Sequence, residues 1–182
     1  MASTTEAGLK SITAGLPAVP LTLEGSSVLH QMFRFRWAEW RKLSEKNRRR
    51  IAAEASAALT KMENSMEGQS ALFSMLGHKG DLMFIHFRSS FDQLKATELQ
   101  IAQLRLHEYF EVTTSYLSVV ELGLYESSIK VFRQLQERGL EPNSPEWNAE
   151  IEETRKRQTE AMKPRLYPQI PASRYICFYP MD

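Results

Sequence analysis

The sequence predicts an α+β fold in which two helices pack on one face of a four-stranded sheet. Two observations lead to this fold class. First, apolar residues recur at helical spacing in two segments. Second, the segments before and after these two have the pattern of strands, because they alternate apolar with polar residues or are rich in β-branched residues. In chain order the segments read strand, helix, strand, strand, helix, strand. That order is the split β-α-β arrangement, which is also called ferredoxin-like.

The first strand and the first helix are predicted within residues 26–64. The stretch SSVLHQMFRFRW (26–37) alternates imperfectly between apolar and polar residues, which favours a strand with one flank in water. Ser44 follows as a candidate helix N-cap, because a serine side chain accepts a hydrogen bond from a free backbone N–H of the first turn. Beyond it, Ile51, Ala55 and Met62 belong to one apolar stripe at helical spacing.

A hairpin, a second helix and a fourth strand complete the predicted repeat. Two apolar runs in residues 69–88 flank the turn sequence GHKGD (77–81), whose residue types tolerate positive φ. Ser90 is the predicted N-cap of the second helix. Residues 113–126 form an alternating, β-branched run that is typical of a strand. With both helices on one side, the other face of this sheet is left open, so a second copy or a partner is expected to cover it.

The rest of the chain falls into three parts. Residues 1–25 are small, rich in Ser, Thr and Ala, and predict a poorly ordered extension ahead of the ferredoxin-like repeat at 26–126. Residues 127–163 predict a helical insertion with a charged second helix that starts near Ser144 and Pro145. Residues 164–182 predict a connector rich in proline and then a closing strand.

The closing strand is predicted from the alternation in RYICFYPMD (174–182). Tyr175, Cys177 and Tyr179 would share one face, with Ile176 and Phe178 on the other. Cys177 is expected to be a small buried residue and not a reactive thiol.

Composition excludes several classes of protein. The chain has 182 residues, of which 42% are apolar and 25% charged, and its net charge is +1. This balance gives no reason to expect nucleic acid or membrane binding. A single cysteine excludes an internal disulfide and fits a reducing compartment, and no apolar run is long enough for a membrane span. The predicted location is cytoplasmic.

Local motifs do not reveal a catalytic site. None of the four histidines has the spacing of a metal-binding pair, and no nucleophile elbow, phosphate loop or dinucleotide fingerprint is present. No metal ligand can therefore be assigned from the residues. From pattern alone the sequence predicts an α+β domain that needs a partner.

Four stretches resemble a known family. LGHKGDLMF, SYLSVVEL, RLYPQIP and RYICFYPM, in this order, are similar to the chlorite dismutase-like family, and most similar to its coproheme decarboxylase branch, also called hydrogen-peroxide-dependent heme synthase. The likeness runs from about Val28 to the last residue and is interrupted by the insertion at 127–163. It implies two ferredoxin-like repeats per subunit, whose sheets form a dimeric α+β barrel, and subunits that assemble as a homopentamer.

The resemblance also implies a reaction and its residues. In this branch, peroxide drives the oxidative decarboxylation of two propionates of iron coproporphyrin III to vinyl groups, which gives heme b and carbon dioxide. Tyr179 matches the tyrosine that becomes a radical and takes a hydrogen atom from a propionate β-carbon. Arg165 matches an arginine that holds a propionate, Met181 matches a methionine near the same substituent, and Tyr116 is a further propionate contact.

The sequence also departs from the family pattern. A propionate-binding lysine two residues after the methionine would lie beyond Asp182, and the iron-ligating histidine is expected in a second repeat that this sequence lacks. We therefore predict the N-terminal part of a coproheme decarboxylase, which needs a companion chain or a continuation that carries the second repeat. Two alternatives remain. One is a non-catalytic domain that dimerises or binds a partner through its open sheet face, and the other is a chlorite-degrading or monooxygenase-like heme enzyme.

Overall fold

A computed structural model describes residues 20–63, 65–66, 68–77 and 79–179. The strands are β1 (Thr22–Phe35), β2 (Gly68–Ser74), β3 (Leu82–Arg88) and β4 (Phe110–Gly123). The helices are α1 (Trp37–Lys42), α2 (Glu45–Glu63), α3 (Phe91–Ala102), α4 (Tyr125–Glu137), α5 (Pro145–Ala161) and α6 (Lys163–Leu166), with a 3-10 turn at Arg105–Tyr109. No helix within these described ranges is both long and apolar enough to cross a membrane.

The four strands form one sheet in the order β2-β3-β1-β4. Strand β3 lies between β2 and β1 and runs antiparallel to both, with Ile85 opposite Ala71 on one side and opposite His30 on the other. A strand inserted between the two strands that a helix connects is the mark of the split β-α-β arrangement. The predicted α+β, ferredoxin-like fold is confirmed.

The helix starts follow from serine caps. Ser44 Oγ accepts from the Asn47 N–H at 3.3 Å, and Ser90 Oγ accepts from the Gln93 N–H at 3.3 Å, as predicted. Helix α1 was not predicted. It has six residues and none of them is buried, so it carries no apolar stripe that a periodicity argument could detect.

The helix-covered side of the sheet holds an apolar core. Phe33 lies at its centre, with its ring 5.6 Å from that of Phe84 and 5.1 Å from that of Phe110. The buried members of this cluster come from β1, α2, β3, α3 and the start of β4: Phe33, Phe35, Met62, Phe84, Ile101 and Phe110. Burial of this aromatic surface stabilises the packing of the helices on the sheet.

The described chain divides into two compact units. The sheet unit contains residues 26–119 and 168–179, and the helical unit contains residues 20–25 and 120–167. In the helical unit, Phe132 stacks on Trp147 with ring centroids 5.8 Å apart, and Ser144 caps α5 by accepting from the Trp147 N–H at 3.1 Å. Leu21 packs against this core, and its N–H donates to Ser128 Oγ at 2.7 Å.

The predicted closing strand is not formed in its described part, residues 174–179, which have no regular secondary structure. The predicted period of two nevertheless persists: Ile176 and Phe178 are half-buried, whereas Tyr175, Cys177 and Tyr179 are exposed. The prediction that Cys177 is buried was therefore wrong. Alternation requires only an extended backbone, whereas a strand also needs a neighbouring backbone for its hydrogen bonds.

Candidate functional site

The closing segment, residues 168–179, lies on the sheet face opposite the helices. Adjacent residues of a strand point to opposite faces, so Ile85 and Phe84 lie on different sides of β3. Phe84 belongs to the helix-side core, and Ile85 is paired with His30 of β1. The pairing of Gln69 with Phe87 puts this glutamine on the same face as His30, because Phe87 is two residues from Ile85. His30 and Gln69 both contact the closing segment.

Gln69 of β2 holds the start of the segment through both ends of its amide. Its Nε2 donates to the Pro168 carbonyl at 3.1 Å, and its Oε1 accepts from the Ile170 N–H at 2.7 Å. One side chain therefore satisfies a donor and an acceptor of an irregular segment, which has no ladder partner to do so.

A cluster of three rings holds the other end of the segment. Phe178 stacks on His30 of β1 at 4.5 Å, and its ring lies 5.8 Å from that of Tyr116 of β4. Burial lowers the pKa of the His30 imidazole below its usual 6.5, so this ring is mainly neutral at pH 7. A neutral imidazole can stack on Phe178 without the loss of hydration that a charged one would suffer.

The two predicted site tyrosines lie at this end of the sheet unit. Tyr116 is 38% exposed and touches Phe178, the chain neighbour of Tyr179, which is 68% exposed. Within the described residues, neither phenol oxygen has a hydrogen-bond partner. Both hydroxyl groups are therefore available to a bound carboxylate.

The structure describes one of the other two predicted site residues. Arg165 belongs to the helical unit, where it is exposed beside the fully buried Leu166 of α6. Its guanidinium forms no ion pair or hydrogen bond with the described part of the chain. Met181 lies outside the described residues.

Sequence reasoning missed the parts played by Gln69 and His30. Gln69 is separated by 99 and 101 residues from the two groups that it binds, so nothing in its local sequence indicates the contact. His30 had a weak signal, because it is a titratable residue within an apolar strand. Its contact with Phe178 depends on the path of a segment far along the chain.

Taken one by one, the predicted site residues suit a carboxylate better than a metal ion. A guanidinium or a phenol can donate a hydrogen bond to a carboxylate such as a propionate. Of the described histidines, His30 is stacked on Phe178, His86 is bonded to Ser70, and His107 packs on the apolar core. Over the described ranges, no group of three or more His, Cys, Asp or Glu side chains is placed to hold a metal ion.

Comparisons with known proteins indicate the family of this chain. The family model described as chlorite dismutase matches residues 48–182. A coproheme decarboxylase of Staphylococcus saprophyticus is 31% identical over 170 residues, which are 92% of this chain and 59% of that protein. A Natronomonas pharaonis protein named for heme binding is 33% identical over 168 residues, which are 90% of this chain and 25% of that protein.

A solved structure supports the same assignment. A heme-binding protein from Thermus thermophilus matches with a TM-score of 0.63 and 27% identity, over 87% of this chain and 55% of that one. The chain thus spans between a quarter and three fifths of the length of these relatives. Because the family model covers well over half of the residues, the chain belongs to the chlorite dismutase family.

Proposed function

We propose that this chain supplies the propionate-handling part of a coproheme decarboxylase, a heme-biosynthetic enzyme that converts iron coproporphyrin III to heme b with hydrogen peroxide as oxidant. The observation that carries the proposal is the contact between Tyr116 and Phe178. Because Phe178 is the chain neighbour of Tyr179, this contact brings two tyrosines to one end of the sheet unit, and neither hydroxyl group has a hydrogen-bond partner among the described residues. The family membership and the S. saprophyticus relative supply the reaction class.

Tyr179 has the chemistry that the reaction requires. A phenol can give up its hydrogen atom and then, as a phenoxyl radical, take one from the β-carbon of a propionate. The carboxylate leaves as carbon dioxide, and the two electrons that each propionate loses reduce one peroxide to water. The exposure of the Tyr179 ring leaves its oxygen accessible to a substrate.

Arg165, Tyr116 and Met181 would bind and orient the substrate. The Arg165 guanidinium is a planar, permanently charged donor that suits a carboxylate, and no described acidic side chain neutralises it. Tyr116 would donate a hydrogen bond to a propionate oxygen, and Met181 would provide an apolar contact. In this proposal the iron ligand comes from a second repeat, on a continuation or on a companion chain, and the complete protein assembles as a homopentamer.

Binding can be tested on the chain alone by titration with iron coproporphyrin III, followed through the porphyrin absorbance band. Arg165→Ala should weaken binding about tenfold or more, because a charge-assisted hydrogen bond is worth roughly 1.5–3 kcal/mol. Arg174→Ala is the matched control, since Arg174 is exposed and stacks on Tyr175. Equal affinities of the two variants would contradict the assignment of Arg165.

Catalysis can be tested by mixing the chain with the part of the S. saprophyticus enzyme that the match leaves uncovered. Iron coproporphyrin III and peroxide should then give carbon dioxide and heme b. Tyr179→Phe should abolish the product and keep binding, whereas the nearby control Tyr175→Phe should keep both. Product formation by the Tyr179→Phe mixture would rule out the radical assignment.

A non-catalytic interaction domain is the second candidate, and the irregular path of the closing segment over a sheet face favours it. It predicts a folded chain that self-associates but leaves the coproheme absorbance unchanged. A chlorite-degrading or monooxygenase-like activity is the third candidate, and the same mixture assayed with chlorite would reveal it.

A further inference from the structure

A cavity of about 380 Å³ lies within the sheet unit, between α2 and the β2–β3 hairpin. It is on the helix side of the sheet, away from His30 and the closing segment. Its volume falls in the range of roughly 300–1,000 Å³ that is usual for small-molecule sites. The walls are mainly small or apolar side chains, among them Leu59 and Phe84, and the polar ones include Ser56, Glu63, Ser70 and His86.

A chain of polar groups leads to this cavity. Arg88 is held by the backbone, because its Nη1 donates to the carbonyls of Gln69 and Phe87 at 2.7 and 2.8 Å. Its Nη2 donates to Ser70 Oγ at 3.0 Å, and Ser70 Oγ lies 2.9 Å from His86 Nδ1. His86 is fully buried, and its Nε2 is one of two buried side-chain polar atoms without a partner in the described chain.

The hydrogen-bond geometry indicates which nitrogen of His86 carries the proton. Ser70 Oγ accepts from Arg88, and Nδ1 of His86 is the one acceptor that the described residues offer to the Ser70 O–H, so we assign Nδ1 as the acceptor of that proton. An accepting Nδ1 places the single proton of a neutral imidazole on Nε2. Nε2–H is therefore a buried donor that lacks an acceptor, which costs about 1–3 kcal/mol.

The charges around the cavity restrict what can bind there. Burial, followed by the positive charge of Arg88, lowers the pKa of His86 to about 4, so the ring is neutral at pH 7. Among the described residues, no lysine or arginine lines the cavity, whereas Glu63 does. A carboxylate ligand would therefore meet one like charge in this lining and no described cation. An uncharged acceptor such as a ketone, ester or amide carbonyl fits better.

We propose that this cavity is a binding site for an uncharged, mainly apolar molecule whose carbonyl oxygen accepts the hydrogen bond of His86 Nε2–H. The apolar walls take the body of the ligand, and the chain Arg88, Ser70 and His86 orients and polarises the single donor. The site is independent of the proposed coproheme chemistry, because none of its residues belongs to the propionate-binding set.

Three probes of the same shape test the proposal on the full chain. The ketone 1-indanone carries the carbonyl, indane lacks it, and indane-1-carboxylate replaces it with a charge. In the protein with isotope-labelled histidine, 1-indanone should shift the Nε2 resonance of His86, and it should bind about five- to tenfold tighter than indane, as one hydrogen bond implies. The carboxylate should bind more weakly than the ketone.

Variants distinguish the contribution of the hydrogen bond to binding from the contribution of the cavity. His86→Phe keeps a ring and removes the donor, so the preference for 1-indanone over indane should vanish. Ser56→Leu keeps His86 and fills the cavity, so both probes should lose binding, which preserves the test if His86→Phe fails to fold. His30→Phe, on the other face of the sheet, should keep the preference. Equal affinities of 1-indanone and indane for the unmodified chain, or an unmoved Nε2 resonance, would overturn the proposal.

Discussion

The two faces of the sheet are covered in different ways. The helix side is closed by regular elements that place six buried apolar side chains in one cluster. The other side is crossed by an irregular segment, which is held by one glutamine amide and a stack of rings. Dense apolar packing provides stability on the first face. On the second face, the hydroxyl groups of Tyr116 and Tyr179 have no hydrogen-bond partner among the described residues.

The largest difference between the faces should appear when their central rings are removed. Phe33→Ala should lower the free energy of unfolding by about 3–5 kcal/mol, because Phe33 is 1% exposed and packs on two other aromatic rings. Urea denaturation measures the loss. Phe33→Leu is the matched control and should lose clearly less. A loss below about 1 kcal/mol for the alanine variant would mean that this face is not the core.

Acid should destabilise the helix side through His86. The pKa of its imidazole is about 4 in the folded chain and returns to its ordinary value of 6.5 on unfolding, so between these values the unfolded chain binds more protons. Stability should therefore rise with pH across this window and fall by on the order of 2–3 kcal/mol as pH drops through it. The His86→Phe variant should therefore show a weaker dependence of stability on pH in this window. The free energy of unfolding of both proteins can be measured by urea denaturation at several pH values. If it depends on pH equally in the two proteins, His86 is not the cause of the dependence.

The ring stack on the other face should contribute less. Phe178→Ala should lower the free energy of unfolding by about 1 kcal/mol, because Phe178 is only half-buried. It should also raise the pKa of His30 towards 6.5, since burial is what lowers that pKa. An NMR titration of the His30 ring protons measures the second effect. An unchanged His30 pKa would show that other groups bury this ring.

The smallest effect is expected at Gln69. Gln69→Ala removes two hydrogen bonds, and it should lower the free energy of unfolding by about 0.5–1 kcal/mol and speed amide exchange at Ile170. Gln69→Glu keeps the acceptor for the Ile170 N–H and loses the donor to the Pro168 carbonyl. In this variant, amide exchange at Ile170 should therefore stay close to that of the unmodified chain. Fast exchange at Ile170 in both variants would show that the bond to the Pro168 carbonyl is the one that protects this amide.

The sequence predicted what depends on local pattern. The serine caps at Ser44 and Ser90, the hairpin and the succession of strands and helices along the chain all follow from signals within a few residues. The long-range features were not accessible in this way. The bond between Ser70 and His86 requires β2 and β3 to pair in one particular register. A shift by one residue would place the two side chains on opposite faces.

The same distinction applies to the candidate site. The resemblance supplied Tyr179, Tyr116, Arg165 and Met181 because a motif is carried by short stretches of sequence. It gave no information about how the closing segment is held. The alternation at 174–179 predicted which residues share a face, but not which face is buried, since Cys177 is exposed. A hydrogen-bonded strand also depends on a neighbouring backbone, which periodicity within one segment cannot reveal.

The alternation without a ladder has a consequence for assembly. Fixing one residue of a flexible chain costs about 1–2 kcal/mol in conformational entropy, and a strand that forms only on association loses that entropy at the moment of binding. Residues 174–179 are already oriented by the contact of Phe178 with His30. An incoming strand that pairs with them would find the side chains facing the correct way. In the proposed association with a second repeat, part of the conformational entropy cost would therefore already have been lost when this chain folded.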